Sequence, residues 1–181
     1  RVGLIDIRRG DFSVMLRDLQ ARFASSGSDH TLELQRIDSH WGRVSGTLNL
    51  AGHAPFTLKS MAELAPSSGD TFQPRLQLDL QGPLAEIKTR LKAQSSWLQA
   101  GATAIIQPFQ SVQITGLKAD LNRLDLNAMD PSLPKASLSG RLTATQSQQT
   151  QLSGEVELIN RTPGPLTEDG LPLKRLAAHF R

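Results

Sequence analysis

The sequence predicts an all-β fold built as an antiparallel meander, and three observations predict it. Apolar and polar residues alternate with period two over most of the chain. Clusters of Gly, Pro, Ser and Asp interrupt that alternation about once per strand. A short pattern, apolar-Ser-Gly-x-apolar, recurs with its glycine on the apolar parity. A parallel sheet covered on both faces would show near-continuous apolar runs instead.

Taken in chain order, the first segment is ambiguous. Phe12, Met15, Leu16, Leu19 and Phe23 fit a helix, whereas Phe12, Val14 and Leu16 fit a strand. Val44, Gly46, Leu48 and Leu50 then alternate with Arg43, Ser45, Thr47 and Asn49, and Leu76, Leu78 and Leu80 with Arg75, Gln77 and Asp79. Residues 83–93 are ambiguous again: Leu84, Ile87 and Leu91 suit a helix starting at Pro83, and Ala85, Ile87, Thr89, Leu91 and Ala93 suit a strand. Both stretches read as strands, because neighbouring segments of a natural sequence tend to agree. Period two returns at Leu98, Ala100, Ala102, Ala104 and Ile106, at Leu117, Ala119 and Leu121, at Leu138, Gly140 and Leu142, and at Leu152, Gly154, Val156 and Leu158. Loops are expected at 24–29, 66–70, 130–134 and 162–165, which leaves about ten to twelve strands of about 6 to 12 residues. A last strand is expected within 173–180.

The recurring motif is Val44-Ser45-Gly46-Thr47-Leu48, Leu138-Ser139-Gly140-Arg141-Leu142 and Leu152-Ser153-Gly154-Glu155-Val156. Gly46, Gly140 and Gly154 therefore sit on the apolar face, where a missing side chain permits a bend or a close backbone approach. A strongly curved sheet would use such positions.

Composition bounds the rest. The chain has 181 residues, 20 Lys plus Arg against 17 Asp plus Glu, and a net charge of +3. Hydrophobic residues at 38% and 14 Gly put it at about 46% apolar, inside the globular range. The 28 Leu against 5 Val and 8 Ile dissent from a β reading, but sheet propensity spans only about 1 kcal/mol and depends on context. Zero Cys excludes disulfides, thiolate nucleophiles and Cys-ligated metal. The chain opens on Arg1, and is expected to be one fragment, 1–181, of a longer repetitive β domain.

Chemistry-bearing motifs are sparse. His30, His40, His53 and His179 show no metal-site spacing, Gly42-Arg43-Val44-Ser45-Gly46 is not a nucleophile elbow, and no Gly-rich phosphate loop precedes Lys-Ser/Thr. No enzyme activity, cofactor or metal is therefore expected. Arg9-Gly10-Asp11 and Asn160-Arg161-Thr162 spell an adhesion tripeptide and a glycosylation sequon but carry no weight alone. Scattered basic residues with two Trp, six Phe and no Tyr argue against nucleic acid. The same aromatic deficit removes the girdles of an outer-membrane barrel.

Several segments together resemble a family. Gly46-Thr47-Leu48-Asn49-Leu50-Ala51-Gly52 with Ala54-Pro55-Phe56, the Leu80-Gln81-Gly82-Pro83-Leu84 turn, and Leu152-Ser153-Gly154-Glu155-Val156 leading into 160–166 are similar to the periplasmic part of TamB-type proteins. These form the translocation and assembly module family of the AsmA-like group. The resemblance implies an elongated, strongly curved antiparallel sheet, a β-taco or U-shaped trough with an apolar concave face. It also implies an inner-membrane-anchored protein in the periplasm of a diderm bacterium. The implied partners are phospholipid acyl chains and, through parts outside this segment, a TamA-like Omp85 outer-membrane barrel protein. The implied role is phospholipid transport between the two membranes, linked to outer-membrane biogenesis.

The residues expected to line such a groove are Leu48, Leu50, Leu78, Leu80, Ala102, Ala104, Ile106, Leu138, Leu142, Leu152, Val156 and Leu158, with Gly46, Gly140 and Gly154 giving room for curvature. The alternative is a spacer, or a chaperone whose free edge pairs with client strands during outer-membrane protein assembly. A carbohydrate-active sandwich would need paired carboxylates in an aromatic cleft, and neither is visible.

Overall fold

The computed structural model describes residues 2–9, 12–39, 41–66, 72–110, 114–146 and 152–180. The chain forms one twelve-stranded sheet in which every strand pairs antiparallel with the next in sequence. The strands are β1 Val2–Arg9, β2 Phe12–Ser25, β3 Asp29–Ser39, β4 Gly42–Ala51, β5 Thr57–Ala65, β6 Arg75–Pro83, β7 Ile87–Gln94, β8 Leu98–Ile106, β9 Ile114–Asp125, β10 Ser137–Gln146, β11 Leu152–Asn160 and β12 Arg175–Phe180. β1 and β12 do not pair, so the sheet is open. At about 4.8 Å per strand, twelve strands extend roughly 53 Å along the stacking direction.

The first ambiguous stretch lies within β2, and of 83–93 residues 87–93 are strand, whereas Leu84, Ala85 and Glu86 form the turn between β6 and β7. The helical reading of 83–93 fails because Ile87, Leu91 and Ala93 stand opposite Ile106, Ala102 and Ala100 of β8. Cross-strand pairing thus satisfies the backbone that a helix would have satisfied internally. Pro83 ends β6, and the Glu86 N–H donates to the Pro83 carbonyl at 2.9 Å to close the turn.

Boundaries differ from expectation elsewhere as well. β2 is 14 residues long and continues through Ser25, which narrows the first loop to a turn whose Gly27 has φ +83°. A one-turn helix, α1 Leu126–Met129, precedes the expected loop at 130–134, with the Asp125 carboxylate accepting from the Ala128 N–H at 3.0 Å. A short 3-10 helix, Leu166–Glu168, follows the expected loop at 162–165. Of the predicted 66–70 loop, residues 67–70 lie outside the described residues.

The sheet is a single layer. Among the described residues its substantial backbone contacts all run between adjacent strands, and there is no second sheet and no helix longer than one turn to form another layer. Among the described residues only Leu58, Ile87, Ala136 and Ala144 are buried hydrophobics. The accessible surface is 12413 Å², against about 8,600 Å² for a compact monomer of this mass. The excess is about 1.4-fold, and it follows from leaving both faces of a sheet without a second layer.

Candidate functional site

Register decides which side chains share a face, since directly opposed residues point the same way. One cross-strand row runs Ala21, Leu34, Gly46, Ala62, Leu78, Leu91, Ala102, Ala119, Leu142, Val156, Ala178. It crosses β2 to β12 without a polar residue. Two positions along the strands lies a second row, Ile37, Val44, Leu64, Leu76, Ala93, Ala100, Leu121, Gly140, Leu158, Leu176, apolar from β3 to β12.

On the other side of the first row the pattern is mixed. Phe23, Leu32, Leu48, Ser60, Leu80, Thr89 and Ala104 follow each other there, so Ser60 and Thr89 place hydroxyls on an otherwise apolar face. The Thr89 hydroxyl is shielded from solvent and has no hydrogen-bond partner. At that margin Leu50 faces Leu58, and Ile106 stands between Ile87 and Ile114.

The expected groove residues are therefore on one face. Ala102, Leu142, Val156 and Leu158, with Gly140, line a hollow of about 400 Å³ over β7 to β11. Leu48, Leu50, Leu78, Leu80, Ala104, Ile106 and Leu138 share the face but stand outside that hollow, and the side chain of Leu152 lies outside the described residues. The hollow also takes Leu91, Ala93, Ala100, Ala119 and Leu121, and it touches Gly101, Asp120 and Arg141, the last two on the polar parity with their side chains paired to each other. The apolar ones carry the same period-two parity in the sequence as the residues singled out there, and only the register shows that they share the hollow.

The three motif glycines are required by close approach. A Cβ on Gly46 would stand 2.5 Å from the Met61 carbonyl oxygen, and one on Gly140 would stand 2.9 Å from Leu158 Cα. One on Gly154 would meet Phe180 Cζ at 2.5 Å. Gly154 and Phe180 are cross-strand partners, so the ring of β12 lies over the bare backbone of β11, as aromatics do opposite strand glycines.

The opposite face is polar and carries cross-strand ion pairs. Arg75 meets Glu63 at 2.9 Å, Arg141 meets Asp120 at 3.0 Å and Arg175 meets Glu157 at 2.7 Å. Asp120 holds the Arg141 guanidinium above its ordinary value. Near the start of the sheet Asp38 accepts from Arg36 Nε at 2.9 Å and from Arg43 Nε at 3.0 Å. Those hydrogen bonds, Arg36 first, hold its carboxyl below the usual carboxylate range. Among the described residues no three His, Asp or Glu side chains are grouped to hold a metal ion.

A second hollow, about 450 Å³, opens on this polar face over β6 to β9. A twisted sheet is saddle-shaped, and the two hollows lie on opposite faces of neighbouring strands. Comparison with protein-family models, curated proteins and solved structures finds no match to the chain.

Proposed function

We propose that the apolar face is a lipid-binding trough, and that the chain is an interior segment of a periplasmic conduit of the TamB type that carries phospholipid acyl chains between two membranes. The observation that carries the proposal is the pair of unbroken apolar rows, over which the described residues form no second sheet or helix layer. A soluble chain that leaves so continuous an apolar strip uncovered has a partner for it. The longer row crosses eleven strands, about 48 Å at 4.8 Å per step. That is the dimension of a path and not of a pocket for one small molecule.

The chemistry of the strip supports the same reading. An acyl chain leaving a bilayer costs about 0.8 kcal/mol per exposed CH₂, so a chain of about sixteen methylenes faces roughly 13 kcal/mol in water. Leu, Ala, Val and Gly recover part of that through non-directional contact, with few groups that would fix one position. A uniform strip favours sliding over holding. The apolar side is the concave one in this proposal, with the glycines of β4, β10 and β11 letting strands approach closely where the trough bends. Through segments outside this one the conduit would meet an Omp85-type barrel.

Delipidated protein titrated with a fluorescent long-chain fatty acid tests the reading. Saturable binding that Leu142→Asp abolishes and Arg141→Gln leaves intact is expected. Binding that both substitutions weaken equally, or no binding at all, overturns it.

A further inference from the structure

We infer that the polar face carries a binding site for a polyphosphorylated anion, in the hollow over β6 to β9, on the side of the sheet opposite the trough. Lys88, Arg90 and Lys118 line that hollow with Gln81, Thr103 and one carboxylate, Asp79, and Thr89, Ala104 and Ile105 complete its floor. Asp79, Arg90, Thr103 and Lys118 are successive partners in one cross-strand row. Lys88 lies two residues from Arg90 on β7 and so points the same way.

Two features set this place apart from the rest of the polar face. The first is charge. Elsewhere on the polar face cations are, among the described residues, either paired, as Arg75, Arg141 and Arg175 are with a cross-strand carboxylate within 3.0 Å, or unpaired but outside the hollow, as Lys59 and Lys92 are. Lys88, Arg90 and Lys118 take part in no ion pair among the described residues, and even Asp79, opposite Arg90, does not reach it. Three cations against one carboxylate leave a net positive hollow, and like charges held together without a counter-ion raise the local potential that an anion would relieve.

The second feature is shape. Between Thr103↔Lys118 and Ile105↔Thr115 the register slips, so β9 has one residue more than β8. Gly116 sits in that extra stretch at φ +65° and lines the hollow. A bulge bends its strand and re-aims the neighbouring side chains, which here opens the polar face at the place where the unpaired cations stand.

The ligand class follows from size and spacing. A hollow of about 450 Å³ is within the range of small-molecule sites. Arg90 and Lys118 are two strands apart, so their backbones are separated by about 10 Å. A guanidinium fork and two ammonium groups recognise phosphate oxygens by charge-assisted hydrogen bonds, and the Thr103 hydroxyl between them can donate one more. The best fit is a ligand with two or more phosphate groups, and the same chemistry is offered by a soluble polyphosphate and by a closely packed anionic lipid surface.

The full chain is titrated with sodium tripolyphosphate by calorimetry at low salt, and in parallel floated with phosphatidylglycerol vesicles, with phosphatidylcholine vesicles as the neutral control. Binding to at least one anionic probe is expected, weakening as salt rises and falling about tenfold or more in Arg90→Gln and in Lys118→Gln. Arg141→Gln, on the same face but outside the hollow, is expected to leave it unchanged. Tripolyphosphate binding assigns the site to a soluble anion, and vesicle binding alone assigns it to a lipid surface. Failure of both probes, or equal losses in Arg141→Gln and the hollow variants, overturns the inference.

Discussion

Adding one methyl group to Gly140 or to Gly101 should move stability in opposite directions. Both glycines are interior to strands and neither has a positive φ. A Cβ at Gly101 would meet only the Leu91 carbonyl oxygen at 3.8 Å, an ordinary contact. Gly101→Ala therefore mainly restricts the unfolded chain and is expected to stabilise by about 0.4–1 kcal/mol. At Gly140 the same atom would lie 2.8 Å from Leu158 Cδ2 and 2.9 Å from Leu158 Cα, and closer still to the Glu157 carbonyl. Carbon atoms rest at about 3.5–4.0 Å, so β10 and β11 must part by at least half an ångström there. Ladder hydrogen bonds near 2.9 Å would lengthen to about 3.4 Å, outside the normal range. Losing one or two bonds, each worth about 0.5–1.5 kcal/mol, gives an expected loss of about 1–3 kcal/mol, in line with overpacking elsewhere. Urea unfolding followed by circular dichroism reads both, and a thermal midpoint should fall by about 2–4 °C per kcal/mol. If Gly140→Ala is neutral or stabilising, the strands are not held as closely as described and the case for glycine-permitted curvature at this position fails.

Other substitutions separate the two faces. Leu142→Asp puts a carboxylate between Ala119 and Val156 and should cost about 2 kcal/mol, whereas Arg141→Gln, one residue away and exposed, should leave the unfolding midpoint unchanged; matching losses would contradict the face assignment. Phe180→Ala uncovers Gly154 and should lower local stability by about 1–2 kcal/mol, seen as faster hydrogen exchange along β11 and β12 with the rest of the sheet unaffected. Asp38 titrates lower folded than its ordinary 3.8, so its ion-pair contribution is complete above that value and disappears as pH falls through the lower folded one. The stability gap between wild type and Asp38→Asn should accordingly close on acidification below about pH 4, and a gap constant down to pH 2 would remove Asp38 from the account.

Much of this architecture was legible because period two and loop chemistry are local signals. Leu98 to Ile106 and Leu152 to Leu158 alternate cleanly, and the structure pairs them as the parity requires. β5 was less legible: Ser60 lies on the apolar face and Met61 on the polar one, where it is 63% exposed, so Leu58, Ala62 and Leu64 did not stand out. Bulges were invisible in the sequence because one extra residue reverses parity without changing composition. At the β9–β10 bulge, Leu121 and Leu124 fall opposite Gly140 and Leu138 although their spacing is odd. The helix α1 is one turn long, too short to show a period, and only its Asp125 cap could have announced it. The polar hollow depends on the bulge at Gly116 and on which lysines lack partners, and both are tertiary facts.

The most direct test of the trough is photo-crosslinking in cells, with a photoreactive residue placed in turn at Leu142 and Leu158 and at Arg141 and Glu157, and the adducts identified by mass spectrometry. The account predicts phospholipid adducts at Leu142 and Leu158 and none at Arg141 or Glu157. Protein adducts alone at the apolar positions, or lipid adducts at both parities, would contradict it.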